Sequence, residues 1–103
     1  MIIVTGAIRA SEGAATEIRR LAIAHCRRSR AEPGCIAHQV HIDCEAPDRF
    51  VFVERWRDAA ALKAHFASPA SREFVRAVGA LAAEAPSMQI YDAEETTPAA
   101  IAR

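Results

Sequence analysis

The sequence predicts an α+β domain with a split βαβ arrangement, in which a four-stranded antiparallel sheet carries its helices on one face. The predicted elements follow the order strand, helix, two-stranded hairpin, two helices, strand. Residues 50–53 of the third strand are apolar at every position, which is typical of a strand buried on both faces. Because helices cover only one face, we expect a second copy of the chain to bury the other, giving a homodimer.

The composition limits the functions that are open to this chain. Its 103 residues are enough for one domain with one core. Lys and Arg total 13, as do Asp and Glu, so the formal net charge is zero. This balance argues against nucleic acid or an anionic membrane as a partner. No apolar run is as long as a membrane span and no leader pattern precedes the first strand, so we expect a cytoplasmic protein.

The first two elements are a strand over residues 2–9 and a helix over about residues 12–31. Gly6 interrupts the strand, and since a strand glycine allows close approach to the backbone, we interpret it as a pocket wall. Ser11 is the predicted N-cap of the helix. The apolar face of the helix repeats at helical spacing and contains Ile18, Leu21, Ala22, His25 and Cys26. We interpret its histidine as a buried structural residue.

The second strand is predicted over residues 35–44, after Pro33 and Gly34 end the helix, with a hairpin loop over residues 45–48. Four possible zinc ligands recur at every third position of this strand, namely Cys35, His38, His41 and Cys44. Successive strand side chains point to opposite faces, so this spacing cannot bring the four to one ion. We therefore predict no metal site and interpret the three cysteines as reduced thiols.

The third strand places a carboxylate among aromatic side chains. Period-2 alternation puts on one face Phe50, Phe52, Glu54 and Trp56. In the register that we favour, His38 lies opposite Glu54 on the neighbouring strand. A slip of one residue would place Gln39 there instead, and the sequence leaves both registers open.

The first of the two following helices brings a histidine to the sheet. Asp58 is its predicted N-cap, and the helix begins at Ala59. Leu62, His65 and Phe66 have the spacing of one helix face. We therefore expect the imidazole to point into the gap between helix and sheet.

The remaining chain completes the domain. Ser68 is the predicted N-cap of a helix over residues 69–83, which begins with proline. The last strand is predicted over residues 87–93. Residues 94–103 show no pattern, so we predict a C-terminal tail outside a domain that comprises residues 1–93.

Three segments of the chain together resemble a known family. They are the sequence EPGC at residues 32–35, FVFVERW at residues 50–56 and ALKAHFASP at residues 61–69. In this order and spacing, the chain from Ile2 to about Tyr91 resembles the antibiotic biosynthesis monooxygenase family. The resemblance implies a ferredoxin-like domain that dimerises into an α+β barrel, with a pocket between sheet and helices in each subunit.

The resemblance also implies a chemistry and its site. Several members of the family oxygenate small phenolic or quinol substrates without metal or flavin. By resemblance, Trp56 and His65 fall on pocket positions, and Glu54 on the polar position of the same strand face. The haem-degrading branch has an asparagine on the first strand, where this chain has Gly6 and Ala7, so haem degradation is not expected.

The predicted function is a cofactor-independent monooxygenase that oxidises a small aromatic quinol or phenol with O2 as co-substrate. A phenolate gives up an electron more readily than a phenol, so the protein needs a base and an apolar cavity. We predict His65 as the base, and Glu54 as the group that orients it or holds a substrate hydroxyl. The predicted substrate-binding residues are Trp56, His38, Phe52 and Phe66.

Two other functions stay open on the same fold. The domain can be a non-catalytic protein that binds a small ligand or acts in a stress response. It can also be a lactone isomerase or cyclase, which transfers protons but needs no oxygen. A purely structural interpretation makes Trp56 a core residue and Glu54 the partner of an arginine. The convergence of acid, imidazole and indole on one gap favours a functional site.

Overall fold

The computed structural model describes all residues, 1–103, and confirms the predicted order of elements while adding a fourth helix. The strands are β1 (Ile2–Arg9), β2 (Cys35–Asp43), β3 (Ala46–Trp56) and β4 (Ser87–Asp92). The helices are α1 (Ala15–Arg30), α2 (Ala59–Ala67), α3 (Pro69–Leu81) and α4 (Pro98–Ile101). None of these helices has the length and apolar character needed to cross a membrane.

The four strands form one antiparallel sheet in the order β2-β3-β1-β4. This is the ferredoxin-like α+β fold, so the predicted fold class is confirmed. The pairing of β2 with β3 places His38 opposite Glu54, which settles the hairpin register. β4 is an edge strand, and every one of its side chains is exposed.

The main core lies between one face of the sheet and helices α1 and α3. It contains Ile8, Phe50, Phe52, Ile18, Ala22, Cys26, Phe74 and Val78. The three strand residues of this set have even numbers, as the pleat requires for side chains on one face. On the opposite face of β3, Val51 and Val53 are only half-buried, because no helix covers them.

The start of α1 differs from the prediction. The helix begins at Ala15, and its N-cap Ala14 makes no side-chain cap. Gly13 has a φ of +80°, which is outside the helical region, so a helix cannot run through it from residue 12. Ser11 instead accepts the amide hydrogen bond of Ala14 through its carbonyl, at 2.9 Å. The predicted Ser11 N-cap was therefore wrong.

The β2–β3 hairpin is tighter than predicted. Residues 45–48 were expected as its loop, but β3 already begins at Ala46, and only Cys44 and Glu45 form the turn. Asp43 stabilises this turn, since its Oδ1 accepts the amide hydrogen bond of Glu45 at 2.9 Å and its Oδ2 lies 3.1 Å from Nη1 of Arg49. The short turn lets β3 begin at Ala46, which pairs with Asp43 of β2.

Two predicted helix caps are confirmed. The Asp58 side chain accepts a hydrogen bond from the amide of Ala61, and the Ser68 side chain accepts one from the amide of Ser71. Proline follows the second of these caps at the first position of α3, as expected. The two caps fix where α2 begins and ends, and therefore where its side chains meet the sheet.

The C-terminal part of the chain differs from the prediction in three places. α3 ends at Leu81 rather than at residue 83, because the carbonyl of Leu81 accepts a hydrogen bond from Ser11 and the amide of Ala83 donates one to Arg9. β4 ends one residue earlier than predicted. The tail predicted to lack structure contains α4, whose N-cap Thr97 accepts the amide hydrogen bond of Ala100 at 3.1 Å. A threonine before proline was the signal for this cap.

We expect Gly34→Ala to destabilise the fold more than a substitution at the other left-handed glycine. Gly34 has a φ of +82°, and a Cβ there would lie 2.5 Å from Cβ of Ala61 in α2. The backbone strain and the overpacking together should lower the free energy of unfolding by about 2–4 kcal/mol. Gly13 is the matched control, since its φ is +80° but nothing lies within 4 Å of a Cβ. Gly13→Ala should cost about 1–2 kcal/mol. Equal losses in urea denaturation would contradict a role for the contact with α2.

Candidate functional site

A cavity of about 630 Å³ lies between the sheet and helices α1, α2 and α3. Its volume is within the range of small-molecule sites. Most of its wall is apolar and includes Ile8, Phe52, Phe74 and Val78. Gly6 also lines it, which confirms its interpretation as a pocket wall. A Cβ at Gly6 would stand 3.2 Å from the carbonyl oxygen of Ser87.

The structure places the predicted site residues in two layers. Glu54, His65 and Phe52 line the cavity, and Phe66 lies at its rim with 41% of its surface exposed. Trp56 and His38 do not line it, although both were predicted to bind substrate. Each is fully buried behind the wall, so neither side chain faces the cavity as was expected.

His65 is the imidazole that α2 presents to the cavity, and it is almost completely buried. Its Nδ1 lies 3.0 and 3.1 Å from the two carboxylate oxygens of Glu32, and 3.4 Å from Oγ of Ser71. With a proton on Nδ1 the ring donates to Glu32, which leaves Nε2 as the free acceptor. Glu54 was predicted in this orienting role, and Glu32 was not predicted as a site residue.

Glu54 is a buried carboxylate on the cavity wall. Its Oε1 accepts a hydrogen bond from Nε1 of Trp56 at 3.0 Å and lies 3.3 Å from Nε2 of His38. Burial alone would raise the pKa of Glu54, but His38, Trp56 and the charge of His65 outweigh it and hold the pKa below its usual value. The group is therefore ionised at neutral pH. Trp56 does not face the cavity, and it contributes to the site by its hydrogen bond to Glu54.

His38 lies behind Glu54 and is held from the other side by a cysteine. Its Nδ1 is 3.2 Å from Sγ of Cys26, and its Nε2 makes no contact with hydrogen-bond geometry. Burial raises the pKa of Cys26 to about 11, so this sulfur is a thiol at neutral pH. His38 thus has one nitrogen paired and one buried nitrogen without a hydrogen bond.

His25 is a cavity residue that the sequence analysis assigned only to the core. It is buried on α1 as expected, but it also lines the cavity. Its ring stacks on Phe74 with 3.9 Å between ring centres and an interplanar angle of 4°. Burial, reinforced by repulsion from His38 and His65, lowers the pKa of His25 to about 3. The ring is therefore neutral at physiological pH.

Three imidazoles from three separate elements meet beside Glu54. We call His25, His38 and His65 the histidine cluster. The distances between ring centres are 5.1 Å for His25–His38, 5.2 Å for His25–His65 and 5.4 Å for His38–His65. One ring nitrogen of each lies within 4.8 Å of those of the other two. Spacing along one strand could not reveal this set, because α1, β2 and α2 supply one member each.

We expect His25 to make the fold less stable in acid. The unfolded chain binds a proton at this residue near pH 6.5, whereas the folded chain binds it only near pH 3. Between these values the unfolded state holds more protons, so the free energy of unfolding falls by about 1.4 kcal/mol per pH unit as the pH drops. In His25→Gln, urea denaturation from pH 6 to pH 4 should show a shallower loss. His41→Gln, at an exposed histidine, should keep the wild-type slope. An unchanged slope in His25→Gln would contradict this assignment.

Comparison with known sequences gives a family and one relative. The family model described as antibiotic biosynthesis monooxygenase matches residues 1–77. An uncharacterized protein of the cyanobacterium Synechocystis sp. is 36% identical over 95 residues, which are 92% of this chain and 65% of the relative. The chain therefore spans about two thirds of the length of that relative.

Solved structures share the fold over almost the whole chain. A Deinococcus radiodurans protein superposes with a TM-score of 0.89 and 28% identity, over 94% of this chain and 96% of that one. A structure described as an antibiotic biosynthesis monooxygenase gives a TM-score of 0.85 and 27% identity, over 92% of this chain and 100% of that one. A Pseudomonas aeruginosa protein gives a TM-score of 0.82 and 29% identity, over 91% and 94% of the two chains. On the match of the family model and the agreement of fold, this chain belongs to the antibiotic biosynthesis monooxygenase family.

Proposed function

We propose that this chain is a monooxygenase that oxidises a small aromatic phenol or quinol with O2 in its cavity, with His65 as the base and without a bound cofactor. The observation that supports this most is the pairing of His65 with Glu32. The carboxylate holds Nδ1 at 3.0 Å, so the ring on the cavity wall has its Nε2 available for a proton. Family membership supports the reaction class, and the cavity volume supports a small substrate.

The reaction begins with proton transfer from a phenolic hydroxyl of the substrate to Nε2 of His65. The imidazolium that forms is stabilised by Glu32, which stays in contact with Nδ1–H. The phenolate then donates electrons to O2. For a quinol with a hydrogen on a carbon ortho to a hydroxyl, or a phenol with one on the para carbon, one oxygen atom replaces that hydrogen in a new C–O bond of the quinone product. The other oxygen leaves as water with two hydrogens of the substrate. The substrate supplies all four electrons, so no external reductant is needed.

The cavity provides the groups that this chemistry requires. Phe52 and Phe74 offer apolar surface for an aromatic ring, and Ser71 brings a buried hydroxyl beside the base. Glu54 is ionised, so it accepts a hydrogen bond from a second substrate hydroxyl and disfavours an anionic substrate. A quinol with two hydroxyl groups therefore suits the cavity better than an aromatic acid.

We also propose that the chain works as a homodimer, with a second copy rather than nucleic acid or a membrane as its partner. The face of the sheet opposite the helices carries Val51 and Val53 on β3. Tyr91 on β4 extends this face and is half exposed. A sheet face that no helix covers and that carries apolar side chains is typical of an interface between subunits.

Loss of the base should remove most of the activity. We expect His65→Ala to lower kcat about 10²- to 10⁴-fold in O2 consumption with a panel of hydroquinones and polycyclic phenols in the presence of chelator. His41→Ala, at the exposed histidine of β2, should retain the wild-type rate. An unchanged rate in His65→Ala would remove this residue from the mechanism. Thermal stabilisation by these compounds without turnover would favour a binding protein, and turnover without oxygen an isomerase or cyclase.

A charge on the open face of the sheet should separate the subunits. Light scattering should give the wild type twice the 11.2 kDa mass of the chain. Val53→Asp should shift the protein to the monomer, because a carboxylate in an apolar interface loses its hydration. Ala70→Asp, on the exposed surface of α3, is the control and should leave the mass unchanged. A wild-type monomer at micromolar concentration would contradict the dimer.

A further inference from the structure

We propose that the histidine cluster is a binding site for one divalent first-row transition-metal ion, of the zinc or copper type. His25, His38 and His65 would each supply one imidazole nitrogen. The inference rests on the geometry of the cluster. It stands independently of the proposed oxidation reaction, although the two share one residue.

The separations within the cluster match those of a three-imidazole metal site. A metal–nitrogen bond of about 2.0–2.1 Å places each ring centre about 3.2 Å from the ion, and tetrahedral angles then separate the ring centres by about 5.2 Å. The observed separations of 5.1, 5.2 and 5.4 Å fit this triangle. One ring nitrogen of each histidine lies within 4.8 Å of those of the other two, so the three donors are close enough to share one ion.

Two of the three rings have a polar partner at Nδ1 that fixes their orientation, as metal-binding imidazoles usually do. Glu32 holds Nδ1 of His65, and Sγ of Cys26 holds Nδ1 of His38. Both contacts leave Nε2 for a ligand. Nε2 of His38 is completely buried, and its nearest acceptor, Oε1 of Glu54 at 3.3 Å, lies outside hydrogen-bond geometry, which is uncommon for a polar atom in a protein interior. A metal ion would satisfy this atom.

The charge around the cluster also favours a cation. Oε1 of Glu54 is 3.3 Å from Nε2 of His38, which places this carboxylate directly beside the cluster. The second carboxylate beside the histidine cluster belongs to Glu32, which lies behind His65. Two carboxylates around three imidazoles compensate the charge of a divalent ion in this buried site. Glu54 is in a position to serve as fourth ligand or to bind a water on the ion.

The donor set restricts the kind of ion. Imidazole nitrogens suit zinc, copper, nickel and iron, whereas magnesium and calcium prefer an all-oxygen shell. Three imidazoles and one open or carboxylate position correspond to the ligand number of tetrahedral zinc sites. Within the first-row series, copper binds such a set more tightly than zinc, and zinc more tightly than iron or manganese.

Metal binding and base catalysis exclude each other at His65. The ion would take up the lone pair of Nε2, which is the atom proposed to accept the substrate proton. A bound metal should therefore inhibit cofactor-free turnover, and a chelator should restore it. This competition depends on the proposed function, whereas the binding of metal does not.

Titration of the chelator-treated full chain with Zn²⁺ tests the site. Isothermal titration calorimetry at neutral pH should show one ion per chain, with a Kd in the micromolar range or tighter, and an increase in Tm that depends on the Zn²⁺ concentration. His25→Phe keeps the stacking on Phe74, and His65→Gln keeps a polar group at the wall. Each should weaken binding at least roughly tenfold, since each loses a ligand. Circular dichroism verifies that both variants are folded.

His41→Gln is the matched control, because His41 is exposed and lies outside the cluster. It should bind Zn²⁺ as the wild type does.

The visible spectrum of the Co²⁺-loaded wild type is a second test that needs no variant. We expect the intense d–d bands of four-coordinate cobalt. Absence of stoichiometric binding, a six-coordinate cobalt spectrum, or loss of binding in His41→Gln but not in His25→Phe would overturn the site. Metal binding without oxygenase activity would refute only the proposed function, and activity without metal binding only the metal site.

Discussion

The alternation of side chains along β3 is the constraint on which the rest of the structure depends. One face of this strand carries Phe50 and Phe52 and, two and four positions later, Glu54 and Trp56. The pleat therefore delivers an apolar half and a polar half to the same side of the sheet. The helices follow this division. Helices α1 and α3 pack on the apolar half, and α2 brings its imidazole to the polar half, beside a smaller core around the indole.

The polar half of β3 is difficult to explain by stability alone. A buried polar group costs about 1–3 kcal/mol when it lacks a partner, and a charged one more. Here Glu54, His38 and His65 are buried together, and each has a partner, namely Trp56 for Glu54, Cys26 for His38 and Glu32 for His65. Hydrophobic residues of similar volume would pack in this space without such networks. The arrangement is typical of a site that is kept for its chemistry.

The sequence predicted the fold because the fold depends on local patterns. The Asp58 and Ser68 caps, the alternation in β3 and the order of elements are all written within short segments. The resemblance to the family added the prediction of a pocket and of its place between the sheet and the helices. The errors occurred where one residue overrides a pattern, as when Gly13 delays α1, or where a four-residue helix is too short to show periodicity. Glu32 and His25 were missed as site residues because only tertiary packing brings α1 and the turn after it to α2.

The two uses considered for the histidine cluster follow from a single electrostatic property. Glu32 lies behind His65, and Glu54 lies in the cavity wall beside His38, so the space between these carboxylates stabilises added positive charge. A proton taken from a phenol places that charge on the imidazole as a cation, and a divalent metal places it at the centre of the three rings. In both cases Glu32 fixes the same tautomer of His65, and Nε2 is the atom that reacts. The carboxylates therefore prepare the site for a cation, and the affinity of Nε2 for a metal ion, relative to its affinity for a proton, decides between metal binding and acid–base chemistry.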